Sequence, residues 1–338
     1  MVDMVFFSSP IGLGHATRDV AISQNLVGIS KRFVSGDPAS KFISQNGFDT
    51  DSLYKPPPFQ IENGSLKQPL KWLFKYYSYY RECKVISSKI LETYSPRLVT
   101  SDEDFASLVV AQEKGIKTVL ITDILETNFA RGIGSIIEKQ MNKSMKKIIN
   151  KCDLVILPEN GKGEGNIVRV GPIVRKTPYS REQLREKFGF HKKTIVVSIG
   201  GTDSGKFLIE KTLQAYSKID PDAELVIVSG PSFKMNNPNI KNLGFVNNLH
   251  EVVFASDLII SLAGKSTIDE AKYFGTPGIF IPIKGHFEQE ENAREVGYTY
   301  EDVFRLDKLI QDKINAKRNP QPIDGAKKAS DLIRDFLV

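Results

Sequence analysis

Several short stretches combine residue types and spacings suited to chemistry. The first is IVVSIGGTDSGKF at 195–207. An apolar run enters a glycine-rich turn, and Gly200, Gly205 and Lys206 stand at the spacing of the nucleotide-hydrolase loop G-x-x-x-x-G-K-[ST]. Phe207 occupies the position where that loop needs a hydroxyl for Mg²⁺, and the later strand ELVIVSG ends without the carboxylate that would supply a second contact. Another partial match, AGKST at 263–267, has Gly-Lys-Ser, but Ile259 stands where its first glycine is required. Neither stretch is a triphosphate loop. What remains is physical. Gly200 and Gly201 let backbone approach a ligand closely, and Thr202 offers a hydroxyl at a strand end. AGKST opens a helix whose unpaired N–H groups favour an anion. Either loop alone reads equally as a tight turn with Ser266 or Thr267 as helix cap. Both loops in one half of the chain, each after a buried strand, point to a diphosphate.

His15, in GLGH, sits at a strand-to-helix turn, and an imidazole suits general-base work near neutral pH. SDED at 101–104 contains Asp102-x-Asp104, the kind of pair that holds Mn²⁺. An acidic tripeptide is common by chance, and a solvated loop is the plainer reading.

Elements must position these groups. MVFFSS, PRLVTSD, KTVLITD and CDLVILP read as buried strands separated by helical stretches, the first helix running from about Thr17 to Val27. After the loop ENGKGEGN, a second series begins at KKTIVVSIGG and continues through AELVIVSG, NIKNLGFV, SDLIISLAG and PGIFIPI. Apolar runs of this kind, each followed by a turn and a helix, indicate parallel sheets covered on both faces. The expected fold is α/β, with two doubly wound domains in tandem and ligands beyond the carboxyl ends of the strands. The boundaries read as 1–165, a linker at 166–180, and 181–324, with a terminal helix at about 325–338 packing back on the first domain. The 338 residues, 41% hydrophobic and 25% charged, suit two such cores. Cys83 and Cys152 alone build neither a disulfide framework nor a zinc site, which favours a reducing cytoplasm. The apolar stretch after Met1 is too short for a secretory leader, and no run approaches the ~18–20 residues of a membrane span. A net charge of +6 suits an anionic partner.

Residues 244–293, GFVNNLHEVVFASDLIISLAGKSTIDEAKYFGTPGIFIPIKGHFEQEENA, carry the order G-x-[ST]-x-x-E, G-x-P, Q-x-x-N-A. This resembles the donor-binding half of MurG-like enzymes of glycosyltransferase family 28, and is similar to monogalactosyldiacylglycerol synthases and UDP-sugar glycosyltransferases. SSPIGLGHATR, SIGGT and VGPIVR resemble the family's amino-terminal glycine loop, second glycine loop and linker. The resemblance implies the GT-B fold, two Rossmann-like domains facing across a cleft. It implies inverting, metal-independent transfer of a hexose, N-acetylglucosamine foremost, from a UDP-sugar to a lipid-linked or other hydroxyl acceptor, with no further cofactor. A UDP-sugar hydrolase and a non-enzymatic nucleotide-sugar-binding protein are the competing readings.

Residue roles follow from the same resemblance. Phe245 lies against uracil and the Val246 backbone reads its edge. Gly14, Gly201, Thr202, Gly264, Lys265, Ser266 and Thr267 belong to the glycine loops and the diphosphate turn, and Arg175 helps neutralise phosphate. Glu270 takes the ribose hydroxyls. Glu288 and Gln289 bind the donor sugar, with Asn292 nearby and His286 in a supporting place. His15 is the base and Asp102 its orienting carboxylate, with Asp104 and Asp123 as rivals. Leu262 departs from relatives that carry Arg or His before the AG of the turn.

Two segments bear on the acceptor. LKWLFKYYSYYRECK at 70–84 mixes Trp72, Phe74 and four tyrosines with basic residues. IIEKQMNKSMKKIINK at 136–151 places Ile136, Ile137, Met141, Met145, Ile148 and Ile149 along one helical face. Both have the composition of segments that lie on anionic lipid, which gives a cytoplasmic protein peripheral to the inner membrane face. Core-facing amphipathic helices are the plainer reading of each. No nucleic-acid motif accompanies the basic charge.

Overall fold

The computed structural model describes residues 2–127, 134–200, 205–219, 222–229 and 240–337. The chain divides into two compact units. One comprises Met1–Pro58, Gln68–Val174 and Ile323–Val338, the other Phe59–Lys67 and Arg175–Pro322.

The first unit starts with β1 (Met4–Ser8), α1 (Gly14–Ser23), β2 (Lys31–Ser35), α2 (Ala39–Gln45) and β3 (Thr50–Ser52). The chain then lends the second unit a hairpin, β4 (Gln60–Glu62) and β5 (Ser65–Lys67). It resumes with α3 (Pro69–Tyr94), β6 (Leu98–Asp102), α4 (Phe105–Glu113), β7 (Lys117–Ile121), α5 (Gly134–Lys151), β8 (Leu154–Leu157) and β9 (Ile167–Arg169). The seven strands form one parallel sheet in the order β3-β2-β1-β6-β7-β8-β9. All five side chains of β1 are buried, because a central strand of a doubly wound sheet has helices on both faces. Register sets the site. Ser8 pairs with Asp102, and Asp102 with Ile121, so three strand ends align. The order reverses between β1 and β6, and such switch points open the crevice used for ligands.

The second unit carries α6 (Arg181–Phe188), β10 (Thr194–Ser198), α7 (Lys206–Ile219), β11 (Glu224–Val228), β12 (Lys241–Asn242), α8 (Leu249–Ala255), β13 (Leu258–Leu262), α9 (Lys265–Phe274), β14 (Gly278–Ile281) and α10 (Phe287–Glu295). A 3₁₀ turn at Tyr300–Arg305 and α11 (Leu306–Lys313) follow. Its parallel sheet has the order β12-β11-β10-β13-β14. The switch point lies between β10 and β13, the strands that lead into SIGGT and AGKST.

Finally α12 (Gly325–Asp335) returns to the first unit. Ala326, Ala329, Ile333 and Leu337 join the core that contains Met4, Val20 and Ile156.

Three features differ from the sequence reading. The first helix begins three residues earlier and ends at Ser23 rather than at Val27. The segment expected as a linker from 166 opens with β9, the seventh strand of the first sheet, and the chain changes unit at Val174–Arg175. Residues 59–67, counted with the first domain, belong to the second. Asn63 (φ 48°) and Gly64 (φ 73°) form the two-residue turn of the hairpin, the left-handed pair that Asn-Gly adopts readily. Leu66 N donates to Lys284 O and Lys284 N to Gly64 O, each at 2.8 Å. The Tyr300 hydroxyl donates to Asn63 O at 2.9 Å.

That hairpin explains the false phosphate loop. The Phe207 ring fills the space beside Gly64, where an added Cβ would come within 2.8 Å of it. Gly205 is equally constrained, since a Cβ there would meet Ile199 at 2.6 Å. Lys206 is exposed and 4.0 Å from Glu210. Packing accounts for this part of the spacing.

The two membrane-like segments also resolve. On α5, Met145, Ile148 and Ile149 pack with Leu108, Leu120 and Val155. That apolar stretch is core-facing, while Lys143, Lys146 and Lys147 are exposed. The side chains of Ile136 and Ile137 lie outside the described residues. On α3 the aromatics divide. Trp72 stacks on Tyr76 at 5.0 Å and donates to Pro57 O, and Tyr79 meets Tyr54 edge-on. Phe74 and Tyr77 face outward, 74% and 65% exposed, among exposed Lys71, Lys75 and Arg81. Among the described residues no helix is long and apolar enough to cross a membrane.

Candidate functional site

In the first unit, α1 begins at Gly14, so His15 occupies its first turn, close to the end of β1. Asp102 closes β6. The two meet: His15 Nδ1 lies 2.8 Å from Asp102 Oδ1. An ionised carboxylate only accepts, so Nδ1 carries the hydrogen and Nε2 is left for other partners.

One turn along α1, Arg18 braces the pair. Its Nε donates to Asp102 Oδ2 and its Nη2 to Asp102 Oδ1, both at 2.6 Å, and its Nη1 donates to Asp123 Oδ1. Arg18 and Asp102 are almost wholly buried. Burial would raise the Asp102 pKa, but Arg18 and His15 outweigh it and hold the carboxyl well below its ordinary range. Burial alone would depress the His15 imidazolium. The Asp102 and Glu103 carboxylates outweigh that and push it up to about 10. The resting imidazole is therefore protonated at neutral pH.

The rival carboxylates have other work. Asp104 accepts from the Tyr54 hydroxyl at 2.7 Å and caps α4 through Ala106 N. Asp123 sits on Arg18 rather than on His15. The pairing of Asp102 with Asp104 as cation ligands is thus undone, because β6 sends the two side chains to different partners. Among the described residues no group of three or more His, Cys, Asp or Glu side chains is arranged to hold a metal ion.

In the second unit, Gly264 stands at the N-cap of α9 and brings no side chain to it. Ser266 and Thr267 lie inside the first turn, so neither is the capping residue. Lys265 points its ammonium toward Asp269 (3.7 Å) and Glu295 (3.8 Å). Glu270, one turn on, is 3% exposed, and its Oε1 has no hydrogen-bond partner. Arg175 stands 3.9 Å from that oxygen and donates to Asn247 O at 2.9 Å. Its described contacts include the expected ribose residue. Burial pushes Glu270 up to about 7, with Arg175 opposing.

The Phe245 ring is 38% exposed, while Val246 packs partly on the core. Gln289 Oε1 accepts from Ile283 N at 3.0 Å, which commits the amide oxygen to the β14–α10 turn. Glu288 lies beside it in the first turn of α10. Asn292 is buried and donates to Ala263 O at 3.2 Å, tying α10 to the turn before α9. His286 caps α10, contacts the Phe59 ring at 5.4 Å, and is pushed down to about 4 by burial. Gly201 and Thr202 lie outside the described residues.

Sequence reasoning passed over Arg18 and Glu103, although both stand inside quoted stretches, GLGHATR and SDED. Their importance rests on a meeting of α1, β6 and β7 that no local spacing reveals. The hairpin had a legible signal, Asn-Gly between short alternating runs.

The family description "Glycosyltransferase family 28 C-terminal domain" matches residues 194–316. An uncharacterized glycosyltransferase of Methanosarcina acetivorans is 26% identical over 329 residues, covering 85% of this chain and 82% of its own. The UDP-N-acetylglucosamine–N-acetylmuramyl-(pentapeptide) pyrophosphoryl-undecaprenol N-acetylglucosamine transferase of Aquifex aeolicus is 27% identical over 214 residues, 57% of this chain and 59% of that one. Among solved structures, the glycotransferase of kitacinnamycin covers 99% of both chains with a TM-score of 0.70 at 14% identity, a likeness of fold. With two Rossmann-like sheets and these relatives, the chain is a glycosyltransferase with the GT-B fold, similar to MurG-like enzymes and, over residues 194–316, to the C-terminal domain of family 28.

Proposed function

We propose that the protein is an inverting glycosyltransferase that moves a hexose, N-acetylglucosamine first among them, from a UDP-sugar to a hydroxyl of a lipid-linked acceptor without a metal ion. The observation that carries the donor half is Glu270. A buried carboxylate oxygen without a hydrogen-bond partner is costly, and a ribose diol supplies the donors it lacks. The start of α9, five residues earlier, offers N–H groups and the positive end of a helix dipole to the diphosphate. Fixed donors of this kind offset the charge that grows on a departing diphosphate. Phe245 offers its exposed ring to uracil, and Glu288, with the amide nitrogen of Gln289, reads the sugar. On the acceptor side His15 takes the hydroxyl proton while Asp102 holds its tautomer. The relative from Aquifex aeolicus, named for UDP-N-acetylglucosamine, supports this donor.

Thermal unfolding in the presence of UDP, UDP-N-acetylglucosamine and ATP with magnesium tests the donor. Stabilisation by the uridine compounds is expected, and stabilisation by ATP alone would overturn the reading. Free sugar formed regardless of added acceptor would turn transfer into hydrolysis. The Glu270 carboxyl is pushed up to about 7, so it is neutral below that pH and ionised above it. UDP affinity should therefore rise from pH 6 to pH 8 more steeply in the wild type than in Glu270→Gln. At pH 8 the variant should bind UDP about tenfold or more weakly, as expected for hydrogen bonds to a charged group worth ~1.5–3 kcal/mol. Parallel titration curves of equal affinity, measured by calorimetry, would refute the ribose assignment.

The lipid half rests on α3, where Phe74 and Tyr77 stand among Lys71, Lys75 and Arg81. Each basic side chain near an anionic surface contributes about 1 kcal/mol, and two exposed rings add interfacial anchoring. Such contact would set the protein at the cytoplasmic face of the membrane. Vesicles containing phosphatidylglycerol should carry the protein up a flotation gradient at low salt and release it at high salt. Phe74→Ala/Tyr77→Ala should stay at the bottom; equal flotation of the variant would remove α3 as the contact.

A further inference from the structure

We infer that Glu103 is a second catalytic residue of the acceptor site, its Oε2 and His15 Nε2 forming a two-pronged seat for a single acceptor hydroxyl. The inference rests on the reading of His15 as the group that receives the acceptor. Three observations carry it.

The first is distance: Oε2 stands 3.8 Å from Nε2. At that separation one oxygen can lie about 2.8 Å from both atoms, an ordinary hydrogen-bond length. The second is strain. Glu103 has φ 56°, a left-handed backbone that costs a side chain with a Cβ about 1–2 kcal/mol and that recurs where function holds it. The third is anchoring. Oε1 accepts from Asp123 N at 3.0 Å and from Thr122 Oγ1 at 3.1 Å, so the carboxylate is fixed with its other oxygen turned to the imidazole.

In the inferred seat the two prongs share one proton, and groups from several elements surround them. From α1 come His15, Arg18 and Asp19, from β6 and its turn Asp102 and Asp104, from the end of β7 Asp123, and from α3 Tyr76. Burial pushes the Asp19 pKa well up, and Arg18 contacts both Asp102 and Asp123. Burial raises the Glu103 pKa, partly opposed by His15. With the proton on Nε2, a hydroxyl accepts from Nε2–H and donates to Oε2. With the proton on Oε2, the hydroxyl accepts from Glu103 and donates to Nε2. Either arrangement gives it one donor and one acceptor. In the transfer step the acceptor oxygen bonds to the anomeric carbon, the bond from that carbon to the diphosphate oxygen breaks with its electron pair, and the hydroxyl proton passes to whichever prong is empty.

Glu103→Gln separates this from a structural role, because the amide oxygen keeps the bonds to Asp123 N and Thr122 while the charge is removed. NMR titration of the His15 imidazole, assigned by its loss in His15→Ala, should show its midpoint falling by about one pH unit or more in Glu103→Gln, as for removal of an adjacent opposite charge. Hydrolysis of UDP-N-acetylglucosamine, with water as the hydroxyl probe, should be lost near neutral pH in this variant and return only as pH rises through the His15 midpoint, because the amide cannot take the proton. In Glu103→Ala it should fall about tenfold or more, as for loss of a hydrogen bond to a charged group. An unchanged His15 midpoint overturns the inference, and so do identical pH–rate profiles in wild type and Glu103→Gln. If the wild type does not hydrolyse this donor, the transfer reading stands, and the His15 midpoint alone decides the role of Glu103.

Discussion

Replacing His15 with alanine is expected to slow sugar transfer by about 10²–10⁴-fold, the usual contribution of a positioned general base, with UDP affinity nearly unchanged. The imidazole stands at the ends of β1 and β6, hydrogen-bonded to a buried carboxylate through Nδ1, with Nε2 left for an acceptor. Phe245, Glu270 and the start of α9, which are assigned to UDP, belong to the other unit, so binding should survive. The pH dependence has a definite sign. The imidazolium is stabilised up to about 10, so turnover that depends on the neutral imidazole alone, as in Glu103→Gln, should climb as pH rises from neutrality. The same shift bears on stability. A histidine whose folded pKa is raised contributes stability that is fully present below its ordinary value of 6.5 and is lost as pH rises through about 10. His15→Ala should therefore be the less stable protein at neutral pH, with the gap closing under strongly alkaline conditions. Single-turnover rates with a bound donor measure the chemical part. A rate within experimental error of wild type would remove His15 as the base.

Replacing Arg18 with methionine should destabilise the fold by about 3–5 kcal/mol, as when one partner of a buried ion network is removed. Methionine keeps much of the side-chain volume, so the loss is one of charge. Arg18 makes two hydrogen bonds to Asp102 and one to Asp123, and lies 3.9 Å from Glu103. Without it these carboxylates share a site with only His15 as a cation, and at least one must take up a proton. The expected result is a lower urea midpoint at pH 7 and a smaller deficit at acid pH, where protonated carboxyls no longer need the guanidinium. Adding Asp102→Asn and Asp123→Asn should recover part of the loss, since an unpaired buried charge costs more than an absent pair. Equal urea midpoints for wild type and Arg18→Met would show that the network does not hold the strand ends together. Activity should fall as well, because Arg18 fixes the carboxylate that fixes His15.

Much of the architecture was legible because it is written in local pattern. Runs such as MVFFS and LIISL are apolar without interruption, and only strands covered on both faces read that way. The family 28 signature from Gly244 to Ala293 is equally local, and it placed Glu270 on a helix just beyond the glycine turn. Strands β2 and β3 were missed because KRFVS and TDS are short and half polar, with one side of the pairing near the sheet edge. The hairpin at 60–67 was missed because its hydrophobic partners are Phe207 and the second core, far away in sequence. The lysine-rich helix α5 left two readings open for a related reason. An amphipathic pattern reports that one face is apolar, not whether lipid or the protein's own core covers it.

The sequence by itself determined that this protein has two doubly wound sheets, that its second half carries a glycosyltransferase donor signature, and that His15 stands at the turn after the first strand. Those properties follow from periodicity and from motifs whose residues are neighbours along the chain. Only the tertiary structure decided which carboxylate meets His15, that Arg18 ties Asp102 to Asp123, that Glu103 turns its free oxygen to the imidazole, and that Phe207 supports a hairpin. Each of these depends on strand register and on side chains 84 or more residues apart, or on a backbone twist at one residue, and neither is encoded in any local spacing.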